Sequence, residues 1–262
     1  MMSSFKKESR AILSVFNFRL LFILVETVLI YFLYKNYKIN FNIDFTIMSI
    51  AIVFPLVFSI TSAYQRRQDA INLFLEFRNK IIDVTNIFYA VKGIKEKDYN
   101  ELFTLLQQVQ SLLIKYLVFE NDEKIFEQIR SQRKQVLYLI DSHKNLFNER
   151  EKDSLIRIKN ELFLSAEKVR GIKIHGTPIS LKKYCLIFIY FSPFLYNSQS
   201  FVSSSSSNIE NFMPLFFVLV VSFVLMALYN IQDYIENPFD QEGLDDLKID
   251  NLKVGKVEGL FN

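Results

Sequence analysis

The chain has 262 residues, half of them hydrophobic, with 27 Phe, no Trp and a formal net charge of +3. Length allows one domain or two, and the apolar excess excludes an ordinary soluble chain. Near-neutral charge gives no reason to expect nucleic acid as a partner, and the single cysteine, Cys185, lies in an apolar run where it reads as packing.

The first ten residues carry Lys6, Lys7 and Arg10 and precede an apolar run over residues 11–34. That run is too long for a signal-peptide core and no small-residue cleavage pattern follows it, so it predicts a retained membrane span. It contains Arg19 and Glu26, seven apart and therefore on one helix face. Ionisable groups inside a span face protein or water rather than lipid. The two residues read either as an inter-helix or inter-subunit pair that fixes packing, or as part of an ion path.

A second span is predicted over residues 45–63, and it continues without a breaker into the charged, amphipathic stretch that begins at Tyr64. Ile50, Phe54 and Phe58 fall at successive four-residue steps, a candidate pore lining or, as readily, a core seam. Pro55 sits mid-span, where it frees a backbone carbonyl and marks a kink. Residues 64–176 hold no further apolar segment of spanning length. Three helical patterns fill them: one to about Val91, one over residues 98–119 with a stripe of Leu102, Leu105, Leu106, Val109, Leu112 and Leu113, and one over residues 122–174. The last is expected to break near Asn148 or Gly171.

Lys182, Lys183 and Tyr184 lead into a third span, residues 185–202, which contains Pro193. The serine-rich stretch after it reads as an exposed loop, residues 212–230 as a clean fourth span, and residues 236–262 as an acidic tail. Basic residues crowd the amino terminus and the long middle region, whereas the short loops hold only Lys35 and Lys38. The positive-inside rule therefore places both termini and the middle region in the cytoplasm of a multi-pass plasma-membrane protein, or of an inner-membrane one if bacterial. The predicted class is an all-α integral membrane protein: four transmembrane helices with a helical cytoplasmic module, a single domain over residues 1–262.

No enzyme signature is present, and no enzymatic activity is expected. Gly171 and Gly176 have phosphate-loop spacing, but Thr177-Pro178 follows instead of the required Lys-Ser/Thr. His143 and His175 are isolated and lack metal-ligand spacing.

Several stretches together resemble the bestrophin family, including its smaller bacterial members. Glu26-Thr-Val-Leu-Ile-Tyr-Phe-Leu-Tyr34 is similar to the family's acidic residue followed by an aromatic, apolar run. Ser62-Ala-Tyr64-Gln-Arg66 resembles its Tyr-x-Arg signature at the end of the pore helix. The segment ending in Gly176-Thr177-Pro178-Ile179-Ser180 looks like Thr-Pro-Ile-Pro before the third span, and Glu236-Asn237-Pro238-Phe239 resembles Glu-Asn-Pro-Phe-Gly after the fourth. The chain departs from the pattern at Ser180, at Asp240, and in lacking the Trp residues after Tyr-x-Arg.

The resemblance implies a homopentamer in membrane lipid around one axial pore, with Ile50, Phe54 and Phe58 lining a hydrophobic neck and Ile179 forming a cytoplasmic aperture. It implies an ion channel for chloride or other small anions. A cation-selective channel, a non-conducting scaffold and a small-solute transporter are the competing readings. Family members can carry a calcium clasp after the Asn-Pro-Phe motif, and here Asn237, Glu242 and Asp245 offer oxygen ligands. Their spacing completes no binding loop, so no cofactor is expected and the tail reads as solvated or as a strap between subunits.

Overall fold

The structure, a computed structural model, describes residues 16–39, 45–119, 122–200, 212–240, 247 and 253–254. Every regular element among them is helical. The chain divides into two compact units, residues 1–66 with 176–236, and residues 67–175 with 237–262.

In the first unit, helix α1 (Phe18–Tyr37) opens on Asn17, whose side-chain oxygen accepts the Leu20 N–H and so satisfies one of the amides a helix start leaves over. It closes on Lys38 in the left-handed conformation, with φ of 51°. Residues 11–15 of the expected first span lie outside the described residues. Helix α2 (Phe45–Ala90) is one element of 46 residues, as the absence of a breaker requires. Its buried positions run Ile52, Leu56, Ser59 and Ala63, then Ala70, Phe74, Phe77, Ile81, Val84 and Phe88. Steps of four and three keep such a stripe on one face of a helix. Arg66 occupies the stripe position between Ala63 and Ala70.

Helix α6 (Ile179–Ser200) begins six residues earlier than the apolar run alone indicates, and helix α7 (Met213–Ile235) ends five residues later. Both extensions are polar turns, and each is stabilised by the ion pairs described below. A core of Leu20, Ile23, Ile52, Leu56, Ile189 and Met226 joins α1, the start of α2, α6 and α7. The two interior prolines leave carbonyls without helical donors, and both find substitutes. Tyr184 Oη donates to the Ala51 carbonyl freed by Pro55, at 3.2 Å, and Ser192 Oγ donates to the Ile189 carbonyl freed by Pro193, at 2.8 Å. Asn17 and Asn230 exchange two amide hydrogen bonds, at 2.9 and 3.0 Å.

In the second unit, the remainder of α2 packs with α3 (Glu96–Val118), α4 (Glu123–Ser142) and α5 (Glu149–Ile174). Leu102, Leu106, Val109 and Leu113 of the α3 stripe are fully buried. The long third pattern breaks at Asn148 and not at Gly171. There Asn148 accepts the Glu151 N–H at 2.8 Å while Glu151 accepts the Asn148 N–H at 2.9 Å, a reciprocal cap that starts α5. Gly171 lies inside the helix. Phe239 is fully buried in this unit's core.

An ion cluster that joins three motifs

The residues singled out in sequence fall into two groups, one apolar and one ionic. On α2, Ile50, Phe54 and Phe58 share the face opposite the buried stripe and are 60%, 60% and 56% exposed within the single chain. Together they form an exposed apolar stripe among the described residues. The Phe54 and Phe58 rings pack edge to face, with centroids 4.6 Å apart. Ile179, the first residue of α6, is 74% exposed, and Tyr64 is exposed as well.

The ionic group assembles from segments far apart in sequence. Arg66 is turned inward by its place on the α2 stripe, where Ala63 and Ala70 leave room for a long side chain. Its Nη1 lies 3.6 Å from Glu236 Oε1. The same oxygen accepts the Thr177 backbone N–H at 3.1 Å. The other oxygen, Oε2, pairs with Lys182 Nζ and accepts from Gln232 Nε2 at 3.4 Å. Arg66 from the Tyr-x-Arg stretch, Thr177 from Thr-Pro-Ile and Glu236 from Glu-Asn-Pro-Phe thus meet at one carboxylate, whose side chain is only 15% exposed.

Gly176 has a role in this approach. A Cβ at that position would stand 3.1 Å from Glu236 Oε1, tighter than a side-chain carbon ordinarily sits, and at an ordinary 3.8 Å from Arg66 Nη1. The cluster continues outward through Asp233, which bridges Lys182 at 2.8 Å and Arg19 at 3.0 Å. Arg19 also lies over the Tyr229 ring, at 5.8 Å.

Charge balance shapes the titration of these groups. Burial pulls the Arg66 guanidinium down, and Glu236 pushes it partly back; an arginine nevertheless remains charged at any ordinary pH. Burial also opposes the charged forms of Lys182 and Asp233. Its neighbours outweigh it in both cases, so Lys182 ends above the usual lysine range and Asp233 below the usual aspartate range.

Arg19 and Glu26 do not pair with each other. Arg19 finds Asp233, whereas Glu26 Oε2 is buried and takes no hydrogen bond among the described residues. Asn237 accepts the Phe239 N–H at 3.4 Å, and Pro238 is buried. Glu242 and Asp245, the other calcium candidates, lie outside the described residues. Asp240, where the resembled motif has glycine, faces Lys173 and partly offsets the burial that lowers that lysine's proton affinity. Sequence reasoning missed Gly176, Lys182 and Asp233 as partners. The usable signal was Arg66, a cation standing on an otherwise apolar and small-residue stripe.

No protein-family model and no curated protein sequence matches the chain. Solved structures do. A bacterial bestrophin homologue from Klebsiella pneumoniae superposes with a TM-score of 0.73 at 14% identity, covering 90% of this chain and 93% of that one. A point-mutant form of that homologue gives 0.71 at 15% identity with the same coverage, and a protein described as a membrane protein, also a point mutant, gives 0.73 at 14%. The chain has a bestrophin-like fold. Among the described residues of this bestrophin-like chain, one helix, α7, is long and apolar enough to cross a membrane by length and composition. Helix α1 carries Arg19, Glu26 and Lys35 within its length, and α6 carries Lys182 and Lys183.

Proposed function

We propose that the chain is one subunit of a bestrophin-type ion channel, a homopentamer around a single axial pore that passes chloride and other small anions. The observation that carries this reading is the face of α2. Ile50, Phe54 and Phe58 stand exposed while the opposite face of the same helix is sealed in the core. Five such faces turned to a common axis make three apolar rings about 6 Å apart. Rings of this kind gate by their width and by the exclusion of water.

In this reading the membrane spans are residues 11–34, 45–63, 185–202 and 212–230, with Lys182 and Asp233 in the polar end turns of α6 and α7 beyond them and both termini and the 64–176 module cytoplasmic. Residues 45–63 contain no Asp, Glu, Lys or Arg. Ile179 forms the second constriction, and the acidic tail serves without bound calcium.

A cation-selective channel is the second reading. Phenyl faces turned to the axis would favour cations and ring edges anions, and the edge-to-face packing of Phe54 on Phe58 favours neither sign over the other. Reconstituting the purified protein in bilayers under an ion gradient tests both, since the sign of the reversal potential separates anion from cation. Absence of current, together with a monomeric mass in detergent, would reject the channel.

A further inference from the structure

We propose that Glu236 is the positioning residue that fixes residues 176–179, and with them the first turn of α6, to α2 and α7. Apart from Glu236, the turn is held by the burial of Thr177 and by the Pro178 carbonyl, which accepts the Leu181 and Lys182 N–H groups. Pro178 cannot donate a backbone hydrogen bond, Ile179 is largely exposed, and the Thr177 N–H spends its bond on Glu236 Oε1. That oxygen is simultaneously in ion-pair range of Arg66 on α2. The second oxygen holds Lys182, one turn into α6, and Glu236 itself closes α7.

A single carboxylate therefore ties three elements at two successive points of the same turn. Charge-assisted bonds to a mostly buried acceptor are the stronger kind. Gly176 belongs to the arrangement, because a Cβ there would stand 3.1 Å from Glu236 Oε1 and press the carboxylate back by a few tenths of an ångström. Asp233 shares Lys182 at 2.8 Å, whereas the Thr177 amide goes to Glu236, so Asp233 holds one of the two points and Glu236 holds both.

The functional consequence rests on the pore reading above: if Ile179 forms a constriction, Glu236 sets its position, and with it the size of anion that passes. The positioning itself does not depend on conduction, and the experiment separates the two. A nitroxide is placed on Ile179→Cys in a Cys185→Ala background of the full chain, and its electron paramagnetic resonance spectrum reports the mobility of the turn. The label is ordered in the parent. It becomes mobile in Glu236→Gln, which keeps an oxygen for Thr177 but loses the pairs to Arg66 and Lys182, and to a smaller extent in Gly176→Ala, which crowds the same carboxylate. Glu161→Gln, which removes an ion pair with Lys80 elsewhere, leaves the spectrum unchanged.

Currents are recorded in parallel from the same two variants without the label. The permeability of a large anion relative to chloride is expected to rise about fivefold or more, the range of an ordinary coupling between sites. A label that stays ordered in both variants overturns the positioning role, whatever the currents do. A mobilised label with an unchanged permeability ratio supports the positioning and removes Ile179 from the pore.

Discussion

The Tyr184 hydroxyl donates to the carbonyl of Ala51, the one acceptor in α2 that Pro55 leaves without a helical partner. The proline that interrupts the hydrogen-bond ladder of one helix is thereby answered by a side chain from another. Tyr184→Phe removes this donor and is expected to lower stability by about 0.5–1.5 kcal/mol. In a Pro55→Ala background, where the ladder is restored, the same substitution is expected to cost less. Thermal unfolding of the four proteins in detergent measures the coupling, and equal losses in both backgrounds would contradict the assignment.

The proposed neck makes a sharper prediction. Replacing Ile50, Phe54 and Phe58 together with Ala is expected to widen and wet the constriction and raise open probability. Phe54→Ala and Phe58→Ala alone have smaller effects. All three positions are more than half exposed in the single chain, so an assembled variant is expected. Single-channel recordings decide: a triple variant that assembles and conducts as the parent does would make the stripe a packing seam.

Asp233 and Lys182 give a prediction in pH. Although burial raises it, Asp233 is held below its unfolded value by Lys182 and Arg19. Its contribution to stability is therefore complete above the unfolded aspartate value, about 3.9, and is lost as pH falls through the lower folded one. Lys182, lowered by burial but raised further by Asp233 and Glu236, behaves in mirror image. Its contribution is complete below about 10.4 and is lost as pH rises through the higher folded value. The unfolding midpoint is expected to be level between these limits, and Asp233→Asn is expected to lower the plateau and flatten the acid limb. An acid limb unaffected by that substitution would assign the loss to other groups.

Asn148 and Glu151 form the reciprocal cap of α5. Asn148→Ala is expected to cost about 1 kcal/mol, and Asn148→Ser, which restores an oxygen acceptor, is expected to recover most of it. Thermal unfolding is again the measurement. No difference between the alanine and serine variants would show that the cap contributes nothing.

Much of the helical framework was legible because it follows from local pattern. The uninterrupted course of α2 reads directly from the lack of breakers, and the α3 stripe from its three-to-four spacing. The break at Asn148 was legible in principle, since Asn148-Glu-Arg-Glu151 is a capping signature, whereas Gly171 has no such companion and stays helical. The start of α6 was misjudged by six residues because Lys182 and Lys183 look like a boundary in a hydropathy reading. Their tolerance inside the helix depends on Asp233 and Glu236, some fifty residues away. The ion cluster as a whole was illegible for the same reason: three short motifs can be recognised one by one, but their convergence on a single carboxylate is a property of packing.

The reciprocal amide pair of Asn17 and Asn230 has a consequence for the way α1 and α7 are set against each other. Two helices joined only by leucine, valine and phenylalanine can slide along one another at small cost, because one apolar contact is readily exchanged for the next. The paired amides oppose this, since a slip of one residue breaks both of their hydrogen bonds at once and leaves the buried Asn230 amide without its Asn17 partner. They carry no charge, so neither salt nor acid releases them. Together with Arg19 and Asp233, close by on the same two helices, they work like the paired marks of a vernier: a neutral mark and a charged mark that coincide at one register alone.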